Sequence, residues 1–183
     1  NRTAFFYGLA GTFLFGGMFG FIICTQQIFV EIYGLGALFP VAFASIAAWM
    51  AFANFLNSAI VKRLGMRRIS HGAMLVYIAC AVVILVLSLE GPVNFWVYYA
   101  LLMAFQFVFA WASSNMNSLS MEPLGAVAGT VAAVFGFMQT VGGAIIGTFI
   151  GQQFNGTTIP NATAWVVMGV MVLGCVLIAE TGK

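Results

Sequence analysis

Six long apolar runs divide the chain, at residues 4–30, 38–61, 71–89, 95–121, 127–150 and 162–179, each ended by a charge or a polar turn. Each run has about the 20 residues that a helix needs to cross the hydrocarbon core of a bilayer. Strands of a membrane barrel would be about ten residues long and would alternate in polarity, and these runs do neither. Backbone in lipid must satisfy its own polar groups, which only a helix or a closed barrel does. The runs therefore predict an all-α, polytopic membrane protein, a single bundle of six transmembrane helices over residues 1–183.

Composition removes the alternatives. Charged residues make up 5% of the chain and hydrophobic ones 63%, against about 25% charged in a soluble domain, so a water-facing surface could not be covered. No polar tract supports disorder. A net charge of +2 builds no basic field for nucleic acid. Cys24, Cys80 and Cys175 lie in apolar runs without a CxxC pair and read as small buried hydrophobes. No Walker loop, HExxH motif or nucleophile elbow is present, and His71 has no partners for metal binding or catalysis. An enzyme, a metal site and an organic cofactor are not expected. No signal peptide is visible. The first residue is Asn1, which points to a piece of a longer polypeptide or a processed product.

Charge placement orients the bundle. With six spans, one side receives Arg2, Lys62, Arg63, Arg67, Arg68 and Lys183, and the other receives no Lys or Arg. The positive-inside rule makes that side, with both termini, cytoplasmic. Asn155-Gly-Thr157 and Asn161-Ala-Thr163 match the glycosylation pattern on the opposite side, where they would be silent in a bacterium.

No acid lies near the middle of a run, so a midplane carboxylate for ion coupling is not supplied here. Uncharged amides and hydroxyls concentrate in runs one, two, four and five, leaving three and six as outer, lipid-facing helices. Phe and Met cluster in runs one, four and five and suit adaptable walls for lipophilic molecules. Periodicity places Phe105, Gln106 and Phe109 on neighbouring positions, and Phe135, Met138, Gln139 and Gly142 on one face. Gly143, Gly147 and Gly151 in run five, and Gly16 and Gly20 in run one, have the four-residue spacing that lets helices approach closely. From the residues alone, the amides serve equally as helix–helix ties or as a cavity lining.

Specific stretches add a resemblance. Residues 57–68 read NSAIVKRLGMRR, ending in the RxGxRR pattern of the basic loop of major facilitator transporters. Residues 2–34 contain RTAFFYGLAG, FGGMF and EIYG. Residues 115–139 contain MEPLGAVAG and GFMQ, and residues 155–160 read NGTTIP. Together they resemble the C-terminal half of a drug:proton antiporter of the bicyclomycin-resistance (Bcr/CflA) type, over nearly the whole chain. The resemblance implies a 12-helix protein of the bacterial cytoplasmic membrane, made of two six-helix halves. Helices seven, eight, ten and eleven would line a central cavity, and nine and twelve would stand outside. It implies alternating access, a small lipophilic drug as substrate, and protons as coupling ion carried by an acid of the N-terminal half. Periodicity and family position together give a cavity lining of Met18, Phe19, Ile22, Gln26, Asn54, Phe105, Gln106, Phe109, Asn115, Phe135, Met138, Gln139 and Gly142. Lys62, Arg63, Gly65, Arg67 and Arg68 would form the cytoplasmic basic loop. Two positions depart from the pattern. Lys62 stands where the family has an acid, and Ser114 replaces the proline before Asn115. Two inverted three-helix repeats are an available packing, although the sequence displays no repeat. The rival reading is a non-transporting six-helix scaffold, or a half unit that self-associates through its glycine faces.

Overall fold

The computed structural model describes residues 2–181, without the side chain of Ala126, so Lys183 lies outside the described residues. Six helices are long and apolar enough to cross a membrane: α1 Arg2–Ile32, α2 Gly36–Leu64, α3 Met66–Glu90, α4 Phe95–Gly125, α5 Ala128–Gln152 and α6 Ile159–Glu180. No strand occurs among the described residues. The chain is a multi-pass membrane protein.

Every helix overruns its apolar run by a few residues at one end or both. Helical hydrogen bonding does not stop where hydropathy does, and the charged residues occupy terminal turns. Lys62 and Arg63 close α2, where cations meet the negative end of the helix dipole. Arg67 and Arg68 lie in the first turn of α3. The expected basic loop over Lys62, Arg63, Gly65, Arg67 and Arg68 is thus almost entirely helical. Its one non-helical residue is Gly65, whose φ of +80° turns the chain within a single residue. α4 runs unbroken through Ser114 and Asn115, as expected of a helix without the proline at that position. α5 is interrupted at mid-length by a π-helical turn over Met138–Gly142.

The packing has an order that hydropathy does not reveal. α1 packs against α5 and α6, and α4 packs against α2 and α3, while α1 crosses α4 and α3 lies on α6. Exchanging α1 with α4, α2 with α5 and α3 with α6 reproduces this neighbour list. The six helices thus fall into two three-helix units, and an odd number of spans inverts the second unit relative to the first. α3 and α6 back the α1–α4 crossing and share its core. Phe105 lies between Tyr77 of α3 and Trp165 of α6, with ring centroids 4.2 and 4.4 Å away. Trp165 Nε1 donates to the carbonyl of Gly17 at 3.3 Å. α3 and α6 so bury one face against this crossing, and the helices least covered by the rest of the chain are α2 and α5.

The two ends of the bundle differ. At one end Arg2 donates to Thr181 at 2.9 Å, joining the two termini. There Arg67 lies 3.6 Å from Glu122 and 3.5 Å from Glu180. Tyr7 donates to Glu180 at 2.7 Å and lies 3.5 Å from His71. These contacts hold the described basic residues of the α2–α3 turn at the same end as Arg2. Since Arg67 and Glu122 are well exposed, each ion pair contributes at most about 1 kcal/mol. The opposite end is closed by rings, with Phe29, Tyr33, Phe39, Phe95, Tyr98 and Tyr99 in mutual contact. Burial there pushes the Tyr33 hydroxyl up to about 12, so it remains protonated.

Candidate functional site

Two helix–helix seams flank the α1–α4 crossing. Along the α1–α5 seam glycines on each helix receive bulky side chains from the other. A methyl group at Gly16 would meet Ile146, one at Gly20 would meet Ile150, and one at Gly151 would meet Ile23. At Gly147 it would meet Phe19 and come within 2.9 Å of the Gly20 backbone nitrogen. Gly143 lies against Phe15 and Phe19. All five glycines of the four-residue pattern therefore face this seam. Gly8, Gly11 and Gly142 extend it, meeting Phe135, Gln139 and Thr12. The π turn adds a residue to its backbone ring, in the stretch that carries Gln139 and Gly142.

The α2–α4 seam is held by hydrogen bonds. The hydroxyls of Ser45 and Tyr99 pair, and Tyr99 also donates to the carbonyl of Ala42 at 3.3 Å. Trp49 Nε1 donates to the carbonyl of Met103 at 3.1 Å, and Trp111 Nε1 to that of Ala53 at 2.7 Å. Asn115 Nδ2 donates to Asn57 Oδ1 at 2.8 Å and to the carbonyl of Trp111 at 2.7 Å.

The crossing of α1 and α4 holds the third group. Gln106 is fully buried, and its Nε2 approaches the Met18 sulfur at 3.7 Å. Its Oε1 is buried without a hydrogen-bond partner. Phe15 and Phe109 meet beside it in sequence, with centroids 6.3 Å apart.

The structure thus distributes the thirteen residues expected along one cavity wall among several places. Met18, Gln106 and Phe109 lie at the α1–α4 crossing. Phe19, Phe135, Gln139 and Gly142 pack in the α1–α5 seam, and Met138 is half-buried in the π turn. Ile22 and Gln26 are exposed on α1. Gln26 borders an open depression of about 390 Å³ with Gln27, Thr148 and Gln152. Asn54 is exposed on α2, whereas its neighbour Asn57 is the buried amide that ties to α4. Two of these residues are engaged by other parts of the chain. Phe105 faces the shared core with Tyr77 and Trp165, because one helical step from Gln106 turns a side chain by about 100°. Asn115 is 2% exposed, and both hydrogens of its Nδ2 are engaged, by Asn57 and by the Trp111 carbonyl. Residues missed at these places are Phe15, Asn57, Trp49, Tyr99 and Trp111. Aromatic N–H and O–H groups in apolar runs were the available signal, since each needs an acceptor when buried. Asn161, in a glycosylation pattern, is 2% exposed and so is closed to a modifying enzyme.

Comparison with known proteins gives one similarity at this point. A protein of Haemophilus influenzae (strain ATCC 51907 / DSM 11121 / KW20 / Rd) named bicyclomycin resistance protein homolog is 26% identical over 155 residues. The match covers 84% of this chain, and the chain spans 39% of the length of that relative. No family model matches the chain, and no solved structure matches it significantly.

Proposed function

We propose that this chain is the C-terminal half of a proton-coupled exporter of lipophilic drugs that works by alternating access. The similarity over 155 residues to a protein named for bicyclomycin resistance carries the reading. The span of that similarity, 39% of the relative's length, fits one half of a two-lobed molecule. Packing supports it. α2 and α5, the least covered helices, flank the α1–α4 crossing and leave apolar faces for a second six-helix lobe. The hydrogen bonds seen between side chains lie on the α2–α4 seam, whereas the α1–α5 seam is filled by side chains in glycine notches, so α5 is the element favoured to shift. Apolar and aromatic side chains would hold the drug by burial, and amides would orient it. The proton would be carried by an acid in the other lobe, since the four acids here lie at helix ends. The side bearing Arg2, Arg67 and Arg68 would be cytoplasmic, and the membrane the inner membrane of a bacterium.

The test is efflux. Cells lacking their own exporters and expressing the full gene should survive bicyclomycin at several-fold higher concentration and lose that protection with a proton uncoupler. Equal survival with and without the gene rejects the reading. Membrane-impermeant labelling of a cysteine placed at Arg68 should succeed only from the cytoplasmic side; labelling from outside reverses the orientation.

A further inference from the structure

The inference concerns the one amide of the α1–α4 crossing, and it rests on the transport reading above. Gln106 is 0% exposed, inside a helix that spans the membrane. Its hydrogen-bonding is half complete. A thioether sulfur can only accept, so the side chain must turn its NH₂ toward Met18, and the carbonyl oxygen is left facing away. That oxygen has no partner among the described residues. The contact that is made is weak, 3.7 Å to sulfur. A buried carbonyl without a donor is unfavourable in lipid, where no water compensates it. Met18, by contrast, is an unbranched side chain with three rotatable bonds, only partly buried, on the neighbouring helix. It can swing away without breaking a strong interaction.

We propose that Gln106 is a capped recognition group, that Met18 is its cap, and that the transported molecule displaces the cap and donates a neutral O–H or N–H to the Gln106 oxygen. Phe15 and Phe109 would contact the apolar part of the same molecule. A neutral donor is favoured over an ammonium group by the surroundings. Among the described residues no carboxylate lies within the middle of a span, and Glu122 and Glu180 are engaged with Arg67 at the end of the bundle. A cation at Gln106 would be buried without a counter-charge. The amide therefore selects for hydroxyl- or amide-bearing neutral molecules, with the aromatic walls supplying affinity that is indifferent to that group.

The experiment is binding to the full-length protein in lipid nanodiscs. The probes are bicyclomycin and chloramphenicol, which are neutral donors, and tetraphenylphosphonium, a cation with no donor. Gln106→Leu should weaken a neutral probe about tenfold, the value of one hydrogen bond to a buried partner, and leave tetraphenylphosphonium unchanged. Met18→Ala should tighten the neutral probe severalfold by removing the cap. Leucine is apolar and similar in size, so Gln106→Leu should fold, and its melting temperature checks this. Unchanged affinity for every neutral probe that the wild type binds, in both variants, overturns the proposal and leaves the transport reading standing. Equal weakening of all three probes also overturns it, since that marks a structural role. A wild-type protein that binds none of the probes and exports none removes the transport reading, and this inference with it.

Discussion

Where α5 lies along α1, Gly143, Gly147 and Gly151 accept Phe15, Phe19 and Ile23, and Gly16 and Gly20 accept Ile146 and Ile150. Where α2 lies along α4, hydrogen bonds join Ser45–Tyr99, Trp49–Met103, Trp111–Ala53 and Asn57–Asn115, beside the ring contact of Trp49 with Phe107. The inverted repeat makes the two places equivalent, and their chemistry is opposite. Lipid tails are as apolar as leucine, so burial alone does not press helices together in a bilayer. What remains is close van der Waals contact or polar bonding; the α1–α5 seam is built on the first, and the α2–α4 seam adds the second. The first depends on shape and breaks if volume is added. The second depends on partners and breaks if one of a pair is removed. A shape-based contact has no bond to break when it slides, whereas the polar seam resists sliding. On the transport reading, α5 is the element that shifts and α2 moves with α4.

Each prediction uses the melting or denaturant unfolding of the full-length protein in detergent or nanodiscs. The largest effect is expected at Gly147, where any side chain meets the Gly20 backbone, which cannot turn aside. Gly147→Leu should destabilise by about 3 kcal/mol; a stability within error of the wild type would mean that α1 and α5 are not in contact. On the other seam, Asn115→Leu leaves Asn57 Oδ1 without its donor and should cost about 1 kcal/mol. The Asn57→Leu, Asn115→Leu double variant should recover most of that loss, and strict additivity of the two single changes would show that the amides do not pair. Trp111→Phe keeps the apolar ring and deletes the bond to Ala53, for an expected loss of about 0.6 kcal/mol. The smallest effect belongs to the control on α5 itself. Gly136 has nothing within 4 Å of the place a methyl would occupy, so Gly136→Ala should stabilise by about 0.5 kcal/mol through helix propensity. A loss as large as that at Gly147 would dissolve the distinction between seam glycines and free ones.

The six spans were legible because lipid imposes one strong rule: about 20 apolar residues in a row. The glycine faces were legible too, because a four-residue spacing needs only a helix to put Gly143, Gly147 and Gly151 in line. The places of the candidate residues were legible in part. Gln106 and Met18 were both singled out from sequence, and so were Phe105 and Asn115, which turned out to serve the core and the α2 seam. The difference between Gln106 and Phe105 is one position on one helix. Every face of a membrane helix is apolar, so the sequence carries no contrast between inside and outside by which to choose. The same lack of contrast hid Asn57 behind Asn54.

The order of the chain alone therefore determined how many helices there are, roughly where each begins and ends, and which end of the bundle carries the cations, since these depend on hydropathy and charge along a line. Tertiary structure decided which helices touch, that the six form two inverted threes, that the basic segment is helical around Gly65, and which amides, Gln106 and Asn161, were left with an unpaired oxygen. Those outcomes depend on how side chains from distant parts of the chain fit into each other's gaps, and fit is a property of surfaces in contact that no single helix possesses before it meets its neighbour.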